Sequence, residues 1–155
     1  MSTLLVALST CLHSLATIVM VGYFVFTGLI YLPVFERRMK ANTLRDLLEQ
    51  ISARLRPFFG GSLLIYLVTG THLMLINEDY LGLGNFLANP WSILIVVKHV
   101  LVLVFLGLAV FSERVFLGKI SDENPEALKQ FRWALYTNML LGTIIILMTS
   151  FAQAG

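Results

Sequence analysis

The chain has 155 residues, of which 57% are hydrophobic and 13% charged, with a formal net charge of +2 and a mean hydropathy of +0.82. These values lie far outside the averages of water-soluble domains, so most of the apolar surface must face a bilayer. They argue against a soluble enzyme and against a nucleic-acid partner, because the sequence contains no basic soluble domain.

Four apolar runs are long enough to cross a membrane. Each meets the requirement of about 20 residues for a helix that spans about 30 Å of hydrocarbon. The runs lie at roughly residues 3–32, 58–76, 91–112 and 133–152. The first run lacks the basic start and the cleavage site of a signal peptide, and we count it as a span. We therefore predict an all-α integral membrane four-helix bundle that forms a single domain over residues 1–155.

The segments between the runs are short. Between the first two runs, leucine and isoleucine side chains recur at helical spacing with charged residues opposite, which predicts an amphipathic helix at about residues 43–55 on the inner membrane surface. The segment "INEDYLGLGNFLANPW" contains Gly82, Gly84 and Pro90 and is predicted to be a loop with one short turn.

The basic residues predict the orientation. Ten of the eleven lie in two loops: Arg37, Arg38, Lys40, Arg45, Arg54 and Arg56 between the first two runs, and Arg114, Lys119, Lys129 and Arg132 between the last two. Because basic loops stay in the cytoplasm, we expect both termini to face outward from the inner (plasma) membrane.

Four ionisable side chains remain inside the apolar runs. Counted from Pro57 and Glu113 at 1.5 Å per residue, His72 and His99 are both predicted to lie about 21 to 23 Å from the inner surface. His13, counted in the same way from Pro33, is predicted to lie at about 30 Å, one to two turns further out. Ionisable groups in hydrocarbon are costly and usually functional, and the fourth of them is Lys98.

Two interpretations of these side chains are open. The histidines could only hydrogen-bond within the bundle, with Thr69 as a partner for His72, and Lys98 could extend to the outer headgroups. Alternatively, His13, His72 and His99 are metal ligands from three helices, and Lys98 binds a cofactor carboxylate or an anionic substrate. The joint occurrence of three histidines favours the second interpretation.

The ligand types present in the apolar runs limit which metal the histidines could bind. Zinc is disfavoured because the acids Glu78 and Asp79 lie in the outer loop, and the single cysteine cannot form a thiolate cluster. Copper fits imidazole together with the thioethers of Met20 and Met74. A b-type haem (heme b) fits best, with His72 and His99 as axial ligands on neighbouring antiparallel helices.

Several stretches resemble a known family. They are "LHSLATIVMVGYFVFTGLIYLP", "LLIYLVTGTHLML", "ILIVVKHVLVLVFLGLAV" and "NMLLGTIIILM". Together they are similar to the copper resistance protein D (CopD-like) superfamily of four-helix membrane cores. Within it, "GLIYLP" is also similar to the HemJ-type protoporphyrinogen oxidases, which bind haem. The resemblance implies that His13 and Lys98 are functional positions.

The predicted function is binding of b-type haem, either for electron transfer or as a haem-bearing subunit of a membrane redox complex. Copper transport or tolerance is the alternative, and HemJ-like oxidation of a porphyrinogen is the second. The sequence assigns no enzymatic reaction, because the spans contain no buried carboxylate. Expected partners besides the lipid bilayer are other redox subunits or a second copy of the chain, with a quinone or a periplasmic electron carrier as a further candidate.

Overall fold

The protein is all-helical in a computed structural model that describes residues 3–85 and 87–154. It is 87% helical, with no strand in those residues. The helices are α1 (Thr3–Phe26), α2 (Leu32–Glu36), α3 (Ala41–Leu75), α4 (Pro90–Phe111) and α5 (Pro125–Ala154). Two π-helical turns, Thr27–Tyr31 and Ser112–Phe116, continue the helical path after α1 and α4.

In the part of the chain that the structure describes, four helical segments are long and apolar enough to cross a membrane. They are Thr3–Glu36, Ala41–Leu75, Pro90–Lys119 and Pro125–Phe151. The predicted four-helix membrane architecture is therefore confirmed. These segments are longer than the apolar runs in the sequence. Each continues past its hydrophobic stretch at the end of the bundle that carries the basic loops, which we call the loop end. The opposite end, which carries both termini, is the terminal end.

The predicted surface helix at residues 43–55 is not a separate element. It is the first part of α3, which runs without a break through Pro57. Proline removes one backbone hydrogen bond, and the helix nevertheless continues through this position. Leu44 and Leu48 are 1% and 3% exposed and belong to the main hydrophobic core. The apolar stripe therefore faces the other helices and not the membrane surface.

Helix packing leaves one side of the bundle open. α1 packs against α3 and α5, and α4 packs against α5. α3 and α4 instead face each other across two cavities, whose linings include residues of both helices. In the centre, Phe24 contacts Phe105 edge-to-face with ring centroids 5.0 Å apart, and both side chains are 2% exposed.

One buried amide ties α4 to α5. Asn138 is fully buried, and its side chain, with the nitrogen oriented toward α4, donates to the carbonyl oxygen of Phe105 at 3.0 Å. Its oxygen accepts from the backbone nitrogen of Ala109 at 3.3 Å. In a regular α-helix these two backbone groups also bond each other. A side chain of α5 thus bonds two backbone groups of α4.

Gly142 permits the close approach of α5 to α1, and its substitution should destabilise the bundle. A Cβ atom at this position would lie 2.8 Å and 2.9 Å from the two Cγ atoms of Val21. Because core overpacking costs about 1–3 kcal/mol, we expect Gly142→Ala to lower the unfolding temperature in detergent by several degrees. Gly107→Ala is the control, since nothing lies within 4 Å of a Cβ there. Equal unfolding temperatures for the two variants would contradict the close contact.

Candidate functional site

A cavity of about 590 Å³ lies between the helices toward the terminal end of the bundle. We call it the histidine cavity and define it by six of its lining residues: His13, Tyr66, Gly70, Met74, Lys98 and His99. These residues come from α1, α3 and α4. Of the residues selected from the sequence, the cavity therefore brings together two histidines and the intramembrane lysine.

His13 is held in place by three neighbours on α3. The side chain is 3% exposed, and its Nδ1 lies 3.0 Å from the Oγ1 of Thr69. Its ring stacks on Tyr66 with centroids 4.3 Å apart and planes 23° from parallel. A Cβ atom on Gly70 would lie 3.0 Å from the imidazole Cε1, so glycine leaves room for the ring. The imidazole is consequently fixed in position and orientation.

The hydrogen bonds of Thr69 determine the tautomer of His13. The Thr69 hydroxyl donates its one proton to the carbonyl oxygen of Ile65 at 2.6 Å. It can therefore only accept from His13, which must carry its proton on Nδ1. In the neutral imidazole, Nε2 then carries the free lone pair.

His99 has the same tautomer for a similar reason. Its Nδ1 lies 2.7 Å from the carbonyl oxygen of Ile95, one turn earlier in α4. A carbonyl oxygen only accepts, so Nδ1 donates and Nε2 again carries the lone pair. Metal-binding histidines typically donate their second N–H to an oxygen in this way. Both histidines of the cavity thus use Nδ1 for a hydrogen bond within the protein and keep the lone pair on Nε2.

Lys98 and two carboxylates set the charge of the cavity. Lys98 is 9% exposed, and its Nζ lies 5.8 Å from the ring centroid of Tyr66. The Tyr66 ring therefore contacts both the lysine and His13. Glu78 and Asp79 also line the cavity and are exposed. The cavity combines an acidic loop with one buried cation.

The third histidine is placed elsewhere. His72 is not among the residues that line the histidine cavity. Both its ring nitrogens are buried and have no hydrogen-bond partner among the described residues. The structure therefore does not bring His72 into one cavity with His99. Thr69, expected as a partner for His72, is bonded to His13 instead.

The relative depth of the histidines differs from the count along the sequence. His13 was expected further out than His72, but it bonds Thr69, which precedes His72 by three residues. His13 therefore lies about 4.5 Å closer to the loop end than His72. The count from Pro33 and Pro57 was wrong because both helices continue through these prolines, which do not mark a common level.

The sequence analysis missed Tyr66, the ring on which His13 stacks. Tyr66, Thr69 and Gly70 are spaced at i, i+3 and i+4, which places them on one face of a helix. A polar ring, a hydroxyl and a glycine on one face of an otherwise aliphatic span were the signal that could have identified the partner of a buried histidine.

A preformed metal cluster is not part of this site. Among residues 3–85 and 87–154, no group of three or more His, Cys, Asp or Glu side chains could hold a metal ion. A metal bound in the histidine cavity would therefore need a different ligand type, such as the thioether of Met74, beside the imidazoles.

Comparison with known proteins identifies the family. Residues 49–152 match the family described as copper resistance protein D, a region that includes Lys98 and His99 and excludes His13. No curated protein and no solved structure matches the chain. The family match covers more than half of the chain and agrees with the four membrane-length helices. The chain therefore belongs to the copper resistance protein D family of multi-pass membrane proteins.

Proposed function

We propose that the chain is a copper transport or tolerance protein that binds Cu(I) in the histidine cavity. The observation that carries this proposal is that His13 and His99 each place Nδ1 at hydrogen-bonding distance from an oxygen. Each ring gives its Nδ1 proton to an oxygen and leaves the Nε2 lone pair for a metal. Copper is the substrate here and not a resident cofactor.

The remaining lining residues support the same assignment. Met74 supplies a thioether, the soft ligand that selects Cu(I) together with imidazole. Glu78 and Asp79 attract cations to the cavity. On the topology that the basic loops predict, this end of the bundle faces outward, and copper would enter from the outside.

Titration of the purified protein with Cu(I) tests the proposal. Under reducing conditions in detergent, competition with a coloured Cu(I) chelator should give one tightly bound ion per chain. The visible absorption spectrum of the same preparation is the control. Failure to compete for Cu(I) would refute the proposal, and redox-sensitive Soret and α bands from the protein as purified would favour haem.

Haem binding is the second candidate, and a separate observation favours it. Lys98 places a buried cation in a cavity of about 590 Å³, where a haem propionate would provide the opposite charge. His13 or His99 would supply an axial imidazole through Nε2. A haem would give the chain an electron-transfer role beside other redox subunits, a second copy or a quinone. Porphyrinogen oxidation would require the same haem.

A further inference from the structure

A second cavity, of about 230 Å³, lies between α3 and the region that follows α4, toward the loop end. We call it the arginine cavity and define it by Tyr23, Ser52, Arg56, Phe59, Glu113 and Arg114. It shares no lining residue with the histidine cavity. Nothing in the proposed copper site accounts for it.

The polar part of this cavity is suited to an anion. The Oγ of Ser52 is buried, in a residue that is 2% exposed; the Tyr23 hydroxyl is its neighbour in the lining, but no partner lies within 3.5 Å among the described residues. Arg56 is paired with Glu113 at 3.5 Å. Arg114 is exposed and has no carboxylate within 4.0 Å among the described residues. A buried hydroxyl without a partner costs free energy, and an anion that accepts from it would remove that cost.

The rest of the lining is apolar. It is formed by aromatic rings and leucines from α1, α3 and α5, including Phe24, Phe59, Phe131 and Leu135. A small inorganic anion could bind the polar part of the cavity but would leave these apolar side chains uncovered. A ligand that carries both an anionic group and an apolar body would cover the wall and the arginines together.

We propose that the arginine cavity binds a phospholipid with an anionic headgroup. Arg114 contacts the phosphate, Ser52 donates to one of its oxygens, and the aromatic wall contacts the glycerol and upper acyl region. Guanidinium groups match phosphate oxygens through paired hydrogen bonds, and basic pockets between spans bind such headgroups. The six basic residues between Arg37 and Arg56 lie at this end, three of them in the first part of α3, and would favour anionic lipid nearby.

Lipid retention measures the site directly. The full-length protein is reconstituted in vesicles with equal phosphatidylglycerol and phosphatidylcholine, extracted in mild detergent, and analysed by native mass spectrometry. We expect one phosphatidylglycerol to be retained in preference to phosphatidylcholine. Arg114→Gln should lower its retention about fivefold, in keeping with one arginine at an anionic headgroup. Arg114→Lys keeps the charge and should retain more lipid than Arg114→Gln.

Matched controls separate a specific site from general attraction. Arg54→Gln removes an exposed arginine of α3 that does not line the cavity, and it should leave retention unchanged. Ser52→Ala should weaken retention without changing any charge. Equal losses for Arg54→Gln and Arg114→Gln would refute the proposal, as would equal retention of both lipids. Displacement of the lipid by millimolar inorganic phosphate would show a site for a free anion and would also overturn it.

Discussion

Replacing His13 with alanine should lower the Cu(I) affinity of the purified protein by about a hundredfold or more. Loss of the oxygen partner of a metal-bound histidine typically costs 10- to 100-fold in affinity, and loss of the ligand itself costs more. His99→Ala should have an effect of the same order. Competition with a coloured chelator gives both affinities, and circular dichroism verifies that the variants remain helical.

Two variants make this result specific to the site. Thr69→Val keeps the shape of the side chain but removes the oxygen that accepts from His13, and we expect a loss of about 10- to 100-fold. His72→Ala removes the histidine that does not line the cavity and should leave copper binding unchanged. If His72→Ala abolishes binding while His13→Ala does not, the assignment of ligands to the histidine cavity is wrong.

Replacing Lys98 with methionine should change ligand affinity in opposite directions for copper and for haem. A buried cation repels Cu(I), and at an effective dielectric constant of 20 two unit charges roughly 7 Å apart interact by about 2 kcal/mol. Lys98→Met should therefore raise the Cu(I) affinity about tenfold or more. If the ligand is haem, the same change removes the partner of a propionate and should lower cofactor retention.

The Lys98 experiment has internal controls. Lys98→Leu removes the charge without adding a thioether and should raise the Cu(I) affinity as Lys98→Met does. Lys98→Arg keeps the charge and should bind copper as the parent protein does. Lys129→Met removes a charge from an exposed side chain of α5 at the loop end and should have no effect. Weaker copper binding by Lys98→Met, together with haem loss, would decide for the second candidate function.

The membrane architecture could be predicted because it follows from local composition. An apolar run of about 20 residues usually crosses a bilayer as an α-helix, so four such runs predict four membrane-length helices. Where these helices end could not be read from hydropathy. Leu44 and Leu48 have the same spacing whether they face a membrane surface or other helices, and only their burial in the core distinguishes the two.

The candidate site was predicted in part. His13 and Lys98 were selected as ionisable residues inside apolar runs and were also implied by the family resemblance, and both line one cavity, although no measurement yet tests their roles. The pairing of His72 with His99 assumed that consecutive helices pack closely. Pairing depends on the order of all four helices around the bundle, and sequence spacing contains no information on that order. Tyr66 was overlooked because a single aromatic residue in an apolar span is typical of packing.

The amide of Asn138 has a mechanical consequence. Because a side chain of α5 bonds two backbone groups of α4, sliding these two helices past each other would break both hydrogen bonds. The hydrogen bond from His13 to Thr69 links α1 to α3. The bundle thus consists of two linked helix pairs, α1 with α3 and α4 with α5, which meet where α1 packs against α5. Any widening of the gap between α3 and α4 would pivot about the contact between α1 and α5.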